Sequence, residues 1–331
     1  MHLRSLPPGA ETALEVIAAF ERAFPGRLRS AYVLGSYADA TATPASDLDL
    51  TLVFRDSFLG QREIDEVRRV TSETSARGSI ELDIEITDEA TLRLGASPAL
   101  KLASAIIGGD DRREEWPLIP IEEWTRDRMH TSWWRIARLF ERPSPIVPPL
   151  ESPEPDSQFL GYTRRTVRLS DGSDAPCTRD LIRLTGWAAT ALVALECGVY
   201  APSKREAHRL YAACVGGEWT GLLSAIYEEC RQRWAYVIPE GPDERARLRE
   251  LCEQTLLFER HFMSRYTAYA LGELRSSDER VFGACEALRR APLAQTEIVD
   301  VLRLLTTARD SAMRNAAKST LLATTPYAQP R

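Results

Sequence analysis

Long apolar runs are missing from this chain of 331 residues. A membrane-spanning helix needs about 18 or more consecutive apolar residues. The longest candidate, GWAATALVALECGVY at 186–200, is shorter and contains Glu196. The opening MHLRSLPPGAETALEVIAAF has no basic stretch followed by an apolar core and a small-residue cleavage site, so no secretory leader is expected. No cysteine precedes residue 177, and the six that follow (177, 197, 214, 230, 252 and 285) form no C-x-x-C pair. That spacing, with helix-like neighbours, reads as free buried thiols of a reducing compartment, so the expected location is cytoplasmic. His130, His208 and His261 lack metal-ligand spacing, and nothing suggests zinc. Positive charge is not in excess either: 42 Lys and Arg stand against 48 Asp and Glu, a net −6. This argues against non-specific nucleic-acid binding, which needs clustered cations. An acidic cleft would instead attract a cation. No internal repeat is strong enough to use.

The chain does have an ordinary globular composition, 44% hydrophobic and 27% charged, and a length that suits two domains. AETALEVIAAFERAF (10–24) places Leu14, Ile17 and Phe20 at helical spacing, and Pro25-Gly26 ends the helix. A strand follows at about 29–34. Leu48, Leu50, Leu52 and Phe54 then alternate with Asp47, Asp49, Thr51 and Val53, the period of a strand with one buried face. A helix at 59–76 leads to a third strand, SIELDIEIT, with Ile80, Leu82, Ile84 and Ile86 on one face and Glu81, Asp83, Glu85 and Thr87 on the other. Helical patterning continues at 89–107 and through SWWRIARLF to Pro143. Residues 143–176 have a linker's Pro, Ser, Asp and Gly content, with a short extended piece around FLGYTRRTVRL. Beyond it the period is helical at 178–197, 203–214, 219–234 and 242–274, then in shorter pieces to about 322. The tail TTPYAQPR should fray. Trp187, Trp219 and Trp234 read as ordinary core.

The two aspartates of the second strand are the chemical signal. Residues i and i+2 of a strand point the same way with Cα atoms about 6.5 Å apart, so Asp47 and Asp49 converge, with Glu81, Asp83 and Glu85 on a comparable polar face. Like charges that close call for a cation, and Mg²⁺ takes hard oxygens while leaving positions for substrate phosphates. Gly35-Ser36, where the first strand turns into a short helix, is a natural phosphate cradle.

Gly35-Ser36, ten residues, then Asp47-x-Asp49 preceded by Ser46 and flanked by aliphatics resembles the nucleotidyltransferase superfamily of DNA polymerase beta over roughly residues 28–90, with Asp83 matching its third acid. RDLIRLTGWAATALVALECGVYAPSKREAHRL and EWTGLLSAIYEECRQRW look like the helical C-terminal domain of aminoglycoside adenylyltransferases acting on streptomycin or spectinomycin. Two positions depart from that pattern: the family's substrate-stacking Trp would fall near Leu192, and its acidic residue after the Lys near Arg205 or Glu206.

The resemblance implies an α+β fold, with a nucleotidyltransferase domain of small mixed sheet and helices at 1–142, the linker at 143–176, and an all-helical domain at 177–331. It implies Mg²⁺-dependent transfer of AMP from ATP to a hydroxyl of a small acceptor, an aminoglycoside or another cation, with release of pyrophosphate. Asp47, Asp49 and Asp83 would hold the metal. Gly35, Ser36, Ser46 and Lys204 would serve the nucleotide, with Arg231 a weaker basic candidate, and Asp83 or Glu85 would take the hydroxyl proton. Two rivals stand beside this reading. The acceptor could be a macromolecule, tRNA or protein, as in toxin or antitoxin relatives, given the arginines at 163–168 and 231–233. Alternatively the chain binds nucleotide without catalysis and docks a partner through residues 275–322. No membrane partner is expected, nucleic acid is not excluded, and the oligomeric state is open.

Overall fold

A computed structural model describes residues 9–43, 46–77, 80–168, 173–276 and 278–325; the expected fraying of the tail falls outside them from residue 326 on. The fold is α+β: a small mixed sheet with helices, and a large helical part. Its contacts divide the chain into two compact units. One holds the chain up to Ile121 with Arg168–Ser173 and Tyr200–Glu206; the other holds Glu122–Val167, Asp174–Val199 and Ala207–Arg331.

In the first unit, helix α1 (Ala10–Ala23) buries Ala10, Ala13, Val16 and Phe20, which recur every three or four residues. Gly26, at φ +71°, then turns the chain into strand β1 (Leu28–Val33). Helix α2 (Gly35–Ala38), strand β2 (Leu48–Phe54), helix α3 (Gln61–Arg77) and strand β3 (Leu82–Asp88) follow. The expectation of helix through 89–107 is corrected here. Helices α4 (Glu89–Leu94) and α5 (Pro98–Ala103) are separate, and strand β4 (Ala105–Gly109) pairs antiparallel with β1. Asp88 and Ser97 each cap a helix, accepting from the backbone N–H of Thr91 and Leu100, and Pro98 opens α5, so the helical run is interrupted twice. Beyond it, Ile106-Ile107 favour a strand, and Gly109 at φ +75° lies so close to the Arg29 carbonyl that a side chain would collide.

The four strands lie in the order β3-β2-β1-β4, with β2 parallel to β3 and antiparallel to β1. One face carries Ala31, Val33, Leu48, Leu50, Leu52 and Phe54 in a core with Val16, Phe20 and Phe24 of the α1 region and Val70 of α3. The alternate residues face the other way, where Tyr32, Leu34 and Val53 pack with Leu92, Leu100 and Trp116. Asp49, Thr51, Asp83 and Glu85 share this second face by strand alternation.

Helix α6 (Ile121–Leu139) belongs to the second unit from Glu122 on, and its Trp124, Met129, Trp133 and Ile136 are buried. Trp133 stacks on Tyr266 at 4.9 Å and donates to the Ala291 carbonyl, which ties α6 to helical partners late in the chain. The expected linker is partly built in as well: Ile146 bridges to Leu293, Tyr162 is fully buried, and β5 (Thr166–Arg168) and β6 (Asp174–Pro176) form a two-stranded ladder. Helices α7 (Arg179–Cys197), α8 (Lys204–Leu210), α9 (Thr220–Ala225), α10 (Pro242–Leu274), α11 (Arg280–Arg290), α12 (Thr296–Leu305) and α13 (Ser311–Thr324) follow. Two π-helical stretches, Tyr211–Val215 and Ile226–Arg233, extend α8 and α9.

Candidate active site

The site is built where β1 ends. Leu34 donates its N–H to the Asp49 carbonyl at 2.9 Å, and Gly35 then starts α2 at φ +59°. A Cβ on Gly35 would stand 2.8 Å from Asp49 Oδ2, so glycine is required twice, for the left-handed backbone and for the approach of the carboxylate. The Asp49 side chain therefore reaches the first residue of the Gly35-Ser36 turn.

Parallel register then sets the second acid. Asp49 stands opposite Asp83 and Thr51 opposite Glu85, while Tyr32 of β1 is opposite Thr51 on the other side. Neighbouring strands are about 4.8 Å apart and paired residues point to one face, which makes two rows: Asp49 with Asp83 at the strand ends, and Tyr32, Thr51 and Glu85 one step deeper. Thr51, 1% exposed, donates its hydroxyl to Glu85 Oε2 at 3.2 Å. Asp83 and Glu85 are exposed, Asp47 and Asp49 half-buried, and the Asp83 side chain has no hydrogen bond or ion pair among the described residues. Glu81, also exposed, lies just before β3 and accepts the Leu48 N–H through its carbonyl.

The remaining expected residues take different places. Ser36 is buried in α2, and its carbonyl accepts the Thr41 N–H at 2.9 Å. The Ser46 hydroxyl, also buried, accepts the Thr43 N–H at 2.9 Å and meets the Thr43 hydroxyl at 3.3 Å, so it closes its own loop. Lys204 opens α8 within Tyr200–Glu206, the piece of chain that belongs to the first unit. Tyr200 donates to the Ile119 carbonyl at 2.6 Å, and Arg205 lies 3.9 Å from Asp39, the residue that ends α2. Lys204 thus adjoins a contact to the helix that begins with Gly35-Ser36. Arg231 is buried in the second unit, its guanidinium over the Tyr227 ring.

Sequence reasoning missed Tyr32, Thr51, Asp39 and Arg205. Thr51 was legible as the next member of the Asp47-Asp49 alternation; the Arg205 contact to Asp39 spans 166 positions and leaves no local trace. At the far end of β3, Asp88 contrasts with Asp83: the Ser57 hydroxyl at 2.7 Å and the Thr91 N–H hold its carboxyl below the usual range. Burial pushes the Tyr32 hydroxyl upward, with Asp111 and the Arg112 N–H as its neighbours. Among the described residues no group of three or more His, Cys, Asp or Glu is arranged to hold a metal ion, and no helix is long and apolar enough to cross a membrane.

No family model matches the chain, and neither does any curated protein. Among solved structures, spectinomycin adenyltransferase AAD(9) from Enterococcus faecialis, with ATP and spectinomycin, is similar at 12% identity over 74% of this chain and 98% of that one, with a TM-score of 0.42. A likeness that slight carries no argument, and the functional reading rests on the residues.

Proposed function

We propose that the chain is a nucleotidyltransferase that moves AMP from ATP to a hydroxyl of a small acceptor, a cationic one such as an aminoglycoside. The observation that carries this reading is the Asp49 carboxylate, set 2.8 Å from where a Cβ of Gly35 would stand, with Asp83 opposite it in the register. Mg²⁺ ordinarily takes one or two carboxylates and keeps its other positions for water and phosphate oxygens, which suits Asp47 and Asp49 with Asp83 alongside. When bound there it would neutralise phosphate charge and help orient an in-line displacement.

This chain's own residues do the rest. Gly35 removes the side chain that would block the turn, so the N–H groups and the Ser36 hydroxyl can meet the outer phosphates. Lys204 supplies a cation for them. Asp83 or Glu85 accepts the acceptor's hydroxyl proton as its oxygen attacks the α-phosphorus and pyrophosphate leaves. The longer Glu85 side chain, steadied by Thr51, suits the acceptor side, and Asp83, beside Asp49, suits the phosphate side. Ser46, its hydroxyl committed to Thr43, stands just before β2 and serves the nucleotide from that position.

The test offers labelled ATP, CTP, GTP and UTP with Mg²⁺ against aminoglycosides, bulk tRNA and the protein itself. Label on a small acceptor, lost in Asp49→Asn, supports the reading. Label on tRNA or protein would move the acceptor to a macromolecule. No transfer, with no rise in melting temperature on adding ATP and Mg²⁺, would remove it.

A further inference from the structure

Helix α6 is tied to two other helices of the second unit. The Ser132 hydroxyl donates to the Trp187 carbonyl of α7 at 3.0 Å, and the Trp133 indole N–H donates to the Ala291 carbonyl, just past α11, at the same distance. Beside these ties three guanidiniums gather on one ring. Arg135 stands 5.6 Å from the Trp134 ring centroid, Arg138 5.3 Å and Arg290 of α11 5.7 Å. Arg135 also lies 5.5 Å from the Trp187 ring, so it bridges the two indoles. The three arginines are exposed and both rings half-buried. Among the described residues neither indole N–H has a hydrogen-bond acceptor, and the Arg138 side chain has no hydrogen bond or ion pair. Carboxylates are few here: Glu286 of α11 holds both Arg289 and Arg290, the latter at 2.9 Å, and Glu141, one turn beyond Arg138, lies 3.3 Å from Arg164. In a chain of net charge −6 this face reverses the sign locally.

We propose that this arginine–tryptophan face of α6, α7 and α11 binds single-stranded nucleic acid. A guanidinium is planar and always charged, meets phosphate oxygens in a fork, and stacks on π-faces. An unpaired base supplies a π-face, and the backbone on either side of it supplies the phosphates. The occupant that uses both halves of the patch therefore carries charge and exposed rings together. An acidic peptide would engage the guanidiniums and leave the indoles idle. A duplex keeps its bases stacked inside, away from Trp134 and Trp187. Composition argued against non-specific nucleic-acid binding because such binding needs clustered cations; folding supplies the cluster, from positions 135, 138 and 290 that lie far apart in the chain. Stacking tolerates any base, so binding should depend little on sequence. The inference holds whatever reaction the chain catalyses, and Asp49, Asp83 and Lys204 have no part in it.

The test follows fluorescence anisotropy of labelled oligo(U) and oligo(dT) of about 12 nucleotides on adding the full chain, in EDTA and without ATP, so that the proposed transfer plays no part. A duplex of the same length and polyglutamate serve as rivals. Either single strand should bind more tightly than the duplex, and the two arms tell which sugar is preferred. If three phosphates are neutralised, affinity should fall about 20-fold between about 50 and 200 mM salt. Arg138→Gln should weaken binding and cut that factor to about sevenfold, as expected for one phosphate fewer. Trp187→Leu should weaken binding at least about fivefold and leave the salt factor unchanged, because stacking releases no counterion. Arg68→Gln, which removes an exposed arginine of α3 in the first unit, should change neither. No binding at the lower salt, equal binding of the duplex, or equal competition by polyglutamate would overturn the proposal. So would the same loss in Arg68→Gln as in Arg138→Gln, or wild-type affinity in both Arg138→Gln and Trp187→Leu.

Discussion

Two carboxylates of the helical unit and two on the sheet's second face are treated in opposite ways. In the helical unit Glu259 and Glu273 are at most 4% exposed, and each is surrounded. Glu259 accepts from Arg142 at 2.6 Å and from the Tyr162 hydroxyl at 2.9 Å. Glu273 meets His130 at 2.6 Å, Tyr269 at 2.8 Å and Arg126 at 3.2 Å. On the second face of the sheet, the Glu85 side chain has a threonine hydroxyl, and the Asp83 side chain has no hydrogen bond or ion pair among the described residues. A buried carboxylate is tolerable only when paired and hydrogen-bonded, so the helical unit supplies arginine, histidine and tyrosine. An exposed carboxylate such as Asp83 needs no such partner to fold, and can keep its lone pairs for something brought from outside. The comparison separates acids that hold the protein together from acids to which the proposed function assigns chemistry.

The largest effect that would break the comparison is in the helical unit. Glu259→Leu leaves the Arg142 guanidinium, 7% exposed, without its carboxylate, and arginine cannot shed its charge. Removing one member of a buried pair costs about 3–5 kcal/mol, so urea unfolding should show a loss of that order. A loss below about 1 kcal/mol would mean that water or another group already solvates Arg142.

Asp49→Asn should do the reverse, sparing the fold and removing the activity. If the proposed transfer is the reaction, the rate should fall at least about 100-fold, the scale seen when one preorganised electrostatic contact is lost, with the melting temperature held or raised because a like charge beside Asp83 is gone. A variant that keeps wild-type transfer would sink the role given to Asp49. One that fails to fold would place Asp49 among the structural acids.

The sheet face was legible in the sequence because alternation writes itself there: Leu48 to Phe54 and Ile80 to Ile86 name the buried side, and Asp49 and Asp83 fall on the other by parity. Glu259 and Glu273 were not legible. A charged residue on a long helix is usually solvated, and their partners Arg142 and His130 are 117 and 143 positions away. Strand β4 was hidden for a related reason: its stability comes from pairing with β1, some seventy residues earlier, while its own sequence continues two short helices. The placement of Tyr200–Glu206 in the first unit likewise depends on Ile119 and Asp39 and not on neighbours in sequence.

A smaller effect concerns pH. Burial pushes the Glu273 carboxyl up, but the bonds from His130 and Tyr269 and the nearby Arg126 outweigh it, and the net position is below the ordinary 4.5. The native state therefore binds this proton less readily than the unfolded chain. The stability it contributes is present above that ordinary value and is lost as pH falls through the lower native one. Compared with Glu273→Gln by urea unfolding, wild type should hold an advantage of about 1–2 kcal/mol at neutral pH that narrows in acid below 4.5. An advantage unchanged down to about pH 3 would show that the carboxylate is not the favoured form there.

The smallest effect belongs to Asp83, and it tests the comparison from the other side. Asp83→Asn removes an exposed charge that makes no ion pair among the described residues and stands opposite Asp49. Exposed substitutions away from caps and networks stay within about 0.5 kcal/mol, and here the sign should favour the variant, since one of two like charges is gone. The gain should shrink as ionic strength rises past about 0.1 M, where exposed charges are screened beyond roughly 10 Å; the Glu259→Leu loss, set in a buried pair, should barely change with salt. If Asp83→Asn instead lost more than about 1 kcal/mol, beyond the range for an unengaged surface residue, Asp83 would be holding the fold as Glu259 does, and the division between the two kinds of acid would fail at the residue where it is sharpest.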